Sequence, residues 1–347
     1  MHVDRDITPA ELAKILADSD DTALRAEAYR QKVALLGKKV ALRGLIECSN
    51  ICGKNCLYCG IRGGNAKVVR YRMTEDEIVD AATWAAENRY GSIVLQAGEI
   101  QNEANTALVE RVLTRIHTQF GDNLGVTLSL GEQTEDVYRR WRAAGAHRYL
   151  LRIESSNPDL YARIHPADHS WQTRWECLRT LKRLGYIVGT GVMIGLPGQT
   201  VADLAGDIAF FRDEGVDMIG MGPYLPHPET PLAAAAAPAF SAYAMTLRMI
   251  ALTRLCLPDV NIASTTALQA IAPDGREQGI LSGANVIMPN VTPQKYREEY
   301  LLYPNKPCTH EDSELCRGCL GRRIHSIGEE IAWGERADPL HARGGER

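Results

Sequence analysis

The sequence predicts an α/β protein, a complete (β/α)8 TIM barrel with an N-terminal helical lead-in and a C-terminal extension. Three observations predict it. Eight short β-type runs alternate with helical segments between Val40 and Met288, the rhythm of βαβ units and a parallel sheet. No linker, exact repeat or composition break interrupts that rhythm, which favours a closed barrel over an open sheet. The chemical-looking residues fall at strand ends, where such barrels gather their functional loops. They are a cysteine loop after the first strand, Glu99 after the second, Gly131-Glu132 after the third and Glu154 ending the fourth. The boundaries expected are 1–37 for the lead-in, 38–300 for the barrel and 301–347 for the extension.

Each element has its own signal. Thr8-Pro9-Ala10-Glu11 is a capping box with proline at the first helical position, followed by Leu12, Ile15 and Leu16. A second helix covers 21–36. Thr74-Glu75-Asp76-Glu77 is another capping box and opens an amphipathic helix through Ile78, Val79, Ala82 and Ala86. Strands are expected over 40–47, 92–96, 125–130, 148–154, 188–193, 217–221, 261–264 and 285–288. Further helices are expected over 105–119, 134–144, 158–164, 171–184, 200–212 and 239–256, with Gly145 as a left-handed stop. Residues 333–347 are polar and are expected to be poorly ordered or draped on the surface.

Composition narrows the function classes. A chain of 347 residues, 45% hydrophobic and 24% charged, is an ordinary globular protein with ample core. Net charge is −4, from 39 basic and 43 acidic residues, and no basic run points to nucleic acid. The first ten residues lack the apolar core of a signal peptide. No apolar run approaches the ~20 residues of a membrane span. Nine cysteines, six of them in two tight groups, fit metal ligation in a reducing cytoplasm better than disulfides.

The first group is Cys52-Gly53-Lys54-Asn55-Cys56-Leu57-Tyr58-Cys59. Three thiols are one short of a closed tetrahedral zinc site. Thiolates are soft donors that select iron–sulfur clusters, zinc or Cu(I). A 4Fe-4S cube on three cysteines leaves one iron free for a small molecule. C-x3-C-x-aromatic-C is the signature of radical S-adenosylmethionine (SAM) enzymes. The competing reading is half of a zinc site completed elsewhere, by Cys48 for example. Cys308, Cys316 and Cys319 form a C-x7-C-x2-C group suited to an auxiliary iron–sulfur cluster, to zinc with His310 or His325, or to ordinary thiols. Cys177 and Cys256 read as buried small hydrophobes. Cys48 reads as a barrel-interior or near-cluster thiol.

Other residues stand out singly. Gly98-Glu99 can hold an ammonium group. Arg152 and Glu154, two apart on a strand, point to one side and need partners or a use if that side is buried. Arg174, early on a helix, can clamp a carboxylate or be an ordinary surface arginine. Gly189-Thr190-Gly191 lies within a strand at the wrong spacing for a dinucleotide loop. Gly195-Leu196-Pro197-Gly198-Gln199-Thr200 is a strand-to-helix turn. Thr265-Thr266 suits either a polar ligand or a helix cap. Tyr296, Tyr300 and Tyr303 recur on one helical face, for packing or a lid.

These stretches together resemble the FeFe-hydrogenase maturase family of the HydE type, from about residue 20 to 320. The resemblance rests on Arg43-Gly44-Leu45-Ile46-Glu47, the cysteine loop, Arg70-Tyr71-Arg72-Met73-Thr74, Val94-Leu95-Gln96-Ala97-Gly98-Glu99 and Tyr149-Leu150-Leu151-Arg152. It rests equally on the 195–200 turn, Gly222-Pro223, Pro226-His227-Pro228 and Asn285-Val286-Ile287-Met288-Pro289-Asn290. Biotin synthase and methylornithine synthase are more distant relatives. The resemblance implies a 4Fe-4S cluster on Cys52, Cys56 and Cys59, with SAM on its open iron and reductive cleavage to a 5′-deoxyadenosyl radical. It implies cofactor contacts from Tyr58, Gly98, Glu99, Ser129, Glu154, Arg174 and Met193. Arg152 is implied as catalytic and, with Thr265, Thr266 and Tyr303, as lining the cavity for a small sulfur-bearing substrate. Cys308, Cys316 and Cys319 match a variable second-cluster site. A ferredoxin or flavodoxin as electron donor and the other hydrogenase maturases are the partners implied. Two motifs depart from the family: in Arg152-Ile153-Glu154-Ser155-Ser156 the family often has histidine at the second place and Thr-Ala at the end, and Ile100 follows Glu99 where an acid is usual. They leave room for a paralogue with another small substrate. A non-catalytic iron–sulfur or zinc carrier is the reading from another class.

Overall fold

The computed structural model describes residues 6–342. Eight parallel strands close into a ring: β1 (Lys39–Ser49), β2 (Ser92–Ala97), β3 (Gly125–Ser129), β4 (Arg148–Leu150), β5 (Ile187–Ile194), β6 (Met218–Pro223), β7 (Asn261–Ser264) and β8 (Val286–Ile287). The closing pairs are Ala41 with Val286 and Leu42 with Ile287. A ninth short strand, β9 (Glu330–Ile331), pairs with Lys39 and Val40 at the start of β1.

Around the ring lie α3 (Glu75–Glu87), α4 (Glu103–Phe120), α5 (Glu135–Ala143), α6 (Pro158–Ile164), α7 (Trp171–Arg183), α8 (Val201–Asp213), α9 (Ala242–Cys256), α10 (Thr266–Ile271), α11 (Gly275–Leu281), α12 (Gln294–Arg297) and α13 (Ser313–Ser326). The lead-in helices α1 (Pro9–Ala17) and α2 (Thr22–Leu36) pack outside α8 and α9. The capping boxes at Thr8 and Thr74 form as the sequence predicts. Among the described residues no helix is long and apolar enough to cross a membrane.

Strand alternation sorts the residues between two layers. Along β1, Val40, Leu42, Ile46 and Cys48 join the core beneath the helices. Cys48 therefore lines a small apolar space with Met73, Ile78 and Val112, on α3 and α4 or just before them. It is not a barrel-interior thiol, because the period of two turns it outward. Arg43 faces inward, in a space lined by Thr127, Leu150, Met218 and Val286. Arg152 also fills the interior, and Gly191 and Gly220 make room for it. A Cβ at either position would lie within 3.3 Å of the Arg152 guanidinium.

Three expectations change. The fourth strand ends at Leu150, and Glu154 makes only an isolated bridge to Val192 with φ +63°. Tyr296, Tyr300 and Tyr303 do not share a helix, because α12 stops at Arg297 and an irregular segment follows. The polar tail is docked as far as Ala342. Asp338 accepts from Arg148 Nε at 2.8 Å, and His341 lies between Asp217 (2.7 Å) and Asp259 (2.8 Å). The tail thus closes the N-terminal end of the barrel.

Candidate active site at the barrel mouth

The cysteine loop leaves β1 at the C-terminal end of the barrel, and neighbouring elements fix its backbone. Gly53 N donates to Glu99 O (2.7 Å), Leu57 N to Ile164 O (3.0 Å) and Gly60 N to Leu302 O (3.2 Å). Asn55 N donates to His169 Nε2 at 3.1 Å, and the other ring nitrogen of His169 lies 2.8 Å from Asp168. The Arg70 guanidinium donates to the carbonyls of Asn50, Ile61, Arg62 and Asn65. A Cβ at Gly98 would stand 2.3 Å from Ile51 O, so only glycine lets β2 approach the loop.

The donor chemistry suits a cluster. Cys52, Cys56 and Cys59 are half-buried free thiols. Among the described residues only Cys308, Glu311 and Cys316 bring three ligand atoms within 4.8 Å of one another. The three mouth thiols do not all lie within 4.8 Å of one another, so they do not form a ready-made single-ion site. Cys48 faces the opposite side of β1 and cannot complete a zinc site with them. Burial pushes the Cys56 thiol up to about 12 and raises Cys52 and Cys59 as well. A bound metal displaces those protons.

Lys54 of the loop joins three buried side chains in a ring of four charges. Arg174 Nε is 2.7 Å from Glu132 Oε1, and its Nη2 is 3.6 Å from Glu99 Oε2. Lys54 Nζ is 2.8 Å from Glu132 and 3.4 Å from Glu99. Burial, and then the Glu132 charge, push the Glu99 carboxyl up. Burial also opposes Glu132, but Arg174 and Lys54 prevail and hold it down. Arg174 is therefore no surface arginine, and it also donates to Arg152 O at 3.1 Å. Lys54 was not singled out from the sequence and Glu132 only as a strand-end acid. The ring spans three loops and one helix, so no local motif announces it.

The remaining residues fall into groups. Arg152 pairs with Glu154 through two hydrogen bonds and donates to Gly220 O (2.8 Å) and Val192 O (2.9 Å). Tyr58 and Met193 pack on the small apolar cluster of Leu160, Ile164, Leu196 and Tyr224. The Tyr58 hydroxyl lies 3.3 Å from His165 Nε2, and His165 stacks on Tyr161 at 3.8 Å. Burial pushes that imidazole down to about 3. Ser129 ends β3 beside Gln96. Deeper in, the Thr266 hydroxyl lies 2.8 Å from that of Tyr303. Thr265 stands at the N-cap of α10 without capping it, and its hydroxyl is buried without a partner.

The tail thiols are only partly gathered. Cys308 and Cys316 meet with Glu311, whereas Cys319 on α13 lies outside that trio. His310 pairs with Glu298 at 2.8 Å.

Comparison with known proteins gives this site its class. Residues 46–211 match the Radical SAM superfamily model. Two solved structures share the fold. Methylornithine synthase (PylB) superposes with a TM-score of 0.78 at 21% identity, over 94% of both chains. The FeFe-hydrogenase maturase HydG from Carboxydothermus hydrogenoformans superposes at 0.79 and 20% identity, over 94% of this chain and 76% of that one. The protein is a radical SAM enzyme, and its cofactors are a 4Fe-4S cluster and SAM. A curated relative narrows the assignment: "[FeFe] hydrogenase maturase subunit HydE" of Thermotoga maritima is 46% identical over 314 residues, 90% of this chain and 87% of the relative. Biotin synthase of Cyanothece sp. is 26% identical over 81% of this chain and 76% of its own length. The chain belongs to the HydE family of radical SAM proteins.

Proposed function

We propose that this enzyme acts on a small sulfur-containing substrate in the assembly of the [FeFe]-hydrogenase active site. Cys52, Cys56 and Cys59 hold the cluster, and the charge ring beside them receives the amino acid end of SAM. Arg174 faces the SAM carboxylate, while Glu99, behind Gly98, faces the ammonium group. Tyr58 and Met193 offer an apolar face to the adenine, and Ser129 lies close by. Glu154, fixed by Arg152, meets the ribose. When bound and reduced, the cluster supplies the electron that cleaves SAM to methionine and a 5′-deoxyadenosyl radical. Arg152, Thr265, Thr266 and Tyr303 present polar groups to the substrate in the closed barrel interior, where bulk water and stray hydrogen donors are excluded.

The observation that carries this reading is the C-x3-C-x2-C loop at the barrel mouth beside a largely buried ring of two cations and two anions. Electrons come from a ferredoxin- or flavodoxin-type donor. Cys308, Cys316 and Cys319 are the ligand set proposed for an auxiliary cluster, although Cys308 and Cys316 gather with Glu311 rather than with Cys319. The test is anaerobic reconstitution with iron and sulfide, reduction by dithionite, and assay of 5′-deoxyadenosine from SAM. Adding the treated enzyme to the other maturases and apo-hydrogenase then tests the substrate assignment. Hydrogenase activity that does not depend on this enzyme would refute that assignment.

A further inference from the structure

Glu154 reaches the mouth from an uncommon backbone. Its φ of +63° lies in the left-handed region, where a side chain with a Cβ is strained unless its surroundings fix it. The strand side is fixed by β5. Glu154 N donates to Gly191 O at 2.9 Å, and Met193 N donates to Glu154 O at 3.2 Å. The loop side is fixed by helices. Trp171 Nε1 on α7 donates to Ser155 O (3.1 Å), and Ser156 N donates to Asp207 Oδ1 on α8 (2.7 Å). One turn earlier on α8, Asp203 Oδ1 accepts from Asn157 Nδ2 at 2.6 Å.

Asp207 is the unusual member of this set. It is fully buried and it is absent from the charge ring. Ordinary helix packing would place an apolar residue there, like its neighbours Leu204 and Ile208. A buried carboxyl is costly, so its place needs a reason. Its hydrogen bonds go to Ser156, two residues beyond Glu154, with the backbone N–H at 2.7 Å. The N–H donor is present whatever residue other than proline stands at 156, and the Ser156 hydroxyl adds a second interaction with the carboxyl. The departure of Ser156 from the family pattern thus leaves the backbone bond untouched.

We propose that Asp207 is a positioning residue: by accepting from Ser156 N it holds the left-handed turn that presents the Glu154 carboxylate to SAM. This rests on the assignment of Glu154 as a SAM contact. Asp207 itself is assigned no contact with SAM or with the cluster loop.

The test uses the reconstituted holoenzyme and equilibrium dialysis of SAM, with iron content and the reduced-cluster electron paramagnetic resonance signal measured without SAM. Asp207→Ala is expected to weaken SAM binding about tenfold, the cost of one buried donor left unmet. Iron content and the SAM-free signal are expected to stay as in the wild type. Asp207→Asn, which keeps an accepting oxygen, should bind SAM like the wild type. Asp207→Leu fills the space without accepting and should match Asp207→Ala, which guards against a packing defect in the alanine variant. Glu154→Gln serves as the reference. If Glu154→Gln binds SAM normally, the assignment of Glu154 fails. If Glu154→Gln weakens binding while Asp207→Ala and Asp207→Leu do not, the positioning role fails. Loss of iron in the Asp207 variants, or no rescue by asparagine, overturns it equally.

Discussion

Arg152 and Glu154 meet in a two-point grip, Nε to Oε1 at 2.9 Å and Nη2 to Oε2 at 3.1 Å. The fork of a guanidinium matches the two oxygens of a carboxylate, so each side chain fixes the direction of the other. Removing one partner strands a charge inside the barrel. Arg152→Met is expected to cost about 3 kcal/mol in denaturant unfolding. Arg152→Met with Glu154→Gln should recover part of that, which a double-mutant cycle measures.

The grip needs space, and glycines provide it. A Cβ at Gly191 would lie 1.9 Å from Gly220 O, a backbone atom held by the β5–β6 ladder. Gly191→Ala is therefore expected to destabilise by about 3 kcal/mol or more. Urea unfolding followed by circular dichroism gives the number. A wild-type midpoint would mean that the two strands can part.

The barrel was legible because each strand had a β-type run and a turn signal at its end. Arg148 to Glu154 read as one strand because its alternation continues to Glu154. Only the left-handed Glu154 reveals that the ladder stops at Leu150. α13 escaped notice because its apolar stripe is thin: only Cys316, Leu320 and Ile324, at i, i+4 and i+8, bury on Ser313–Ser326. The cysteine loop is a local motif and was found whole. The Lys54–Glu99–Glu132–Arg174 ring is a product of closure, so no stretch of chain displays it. The docked tail is similar: its polar residues look like a surface until Arg148, buried at the other end of the barrel, is seen to need Asp338.

Asp338→Ala leaves Arg148 as a buried cation without its carboxylate. The expected loss is about 3–5 kcal/mol, the cost of breaking a buried pair from one side. Thermal melting should show it, and truncation after Ala332 should lower the midpoint at least as far. An unchanged midpoint in both would mean that the tail does not close the barrel in solution.

Burial pushes the Asp207 carboxyl up from 3.8 to about 7, with Asp203 and Glu154 adding to the shift. The folded protein then keeps a proton that the unfolded chain gives up, so stability falls as pH rises from about 4 to about 7 and stays lower above that. Asp207→Asn has no such proton to lose. Its melting temperature should exceed the wild-type value by more at pH 8 than at pH 5. Parallel curves would show that Asp207 does not titrate in this range.

The central claim is that three cysteines hold a cluster whose fourth iron is left for SAM. The most direct measurement is 5′-deoxyadenosine formed from SAM by the anaerobically reconstituted, dithionite-reduced protein, alongside its metal content. About four irons at the mouth site, product from the wild type, none from Cys56→Ala and near-normal yield from Cys316→Ala are the results expected. Zinc in place of iron with no product, or full yield from Cys56→Ala, would contradict it.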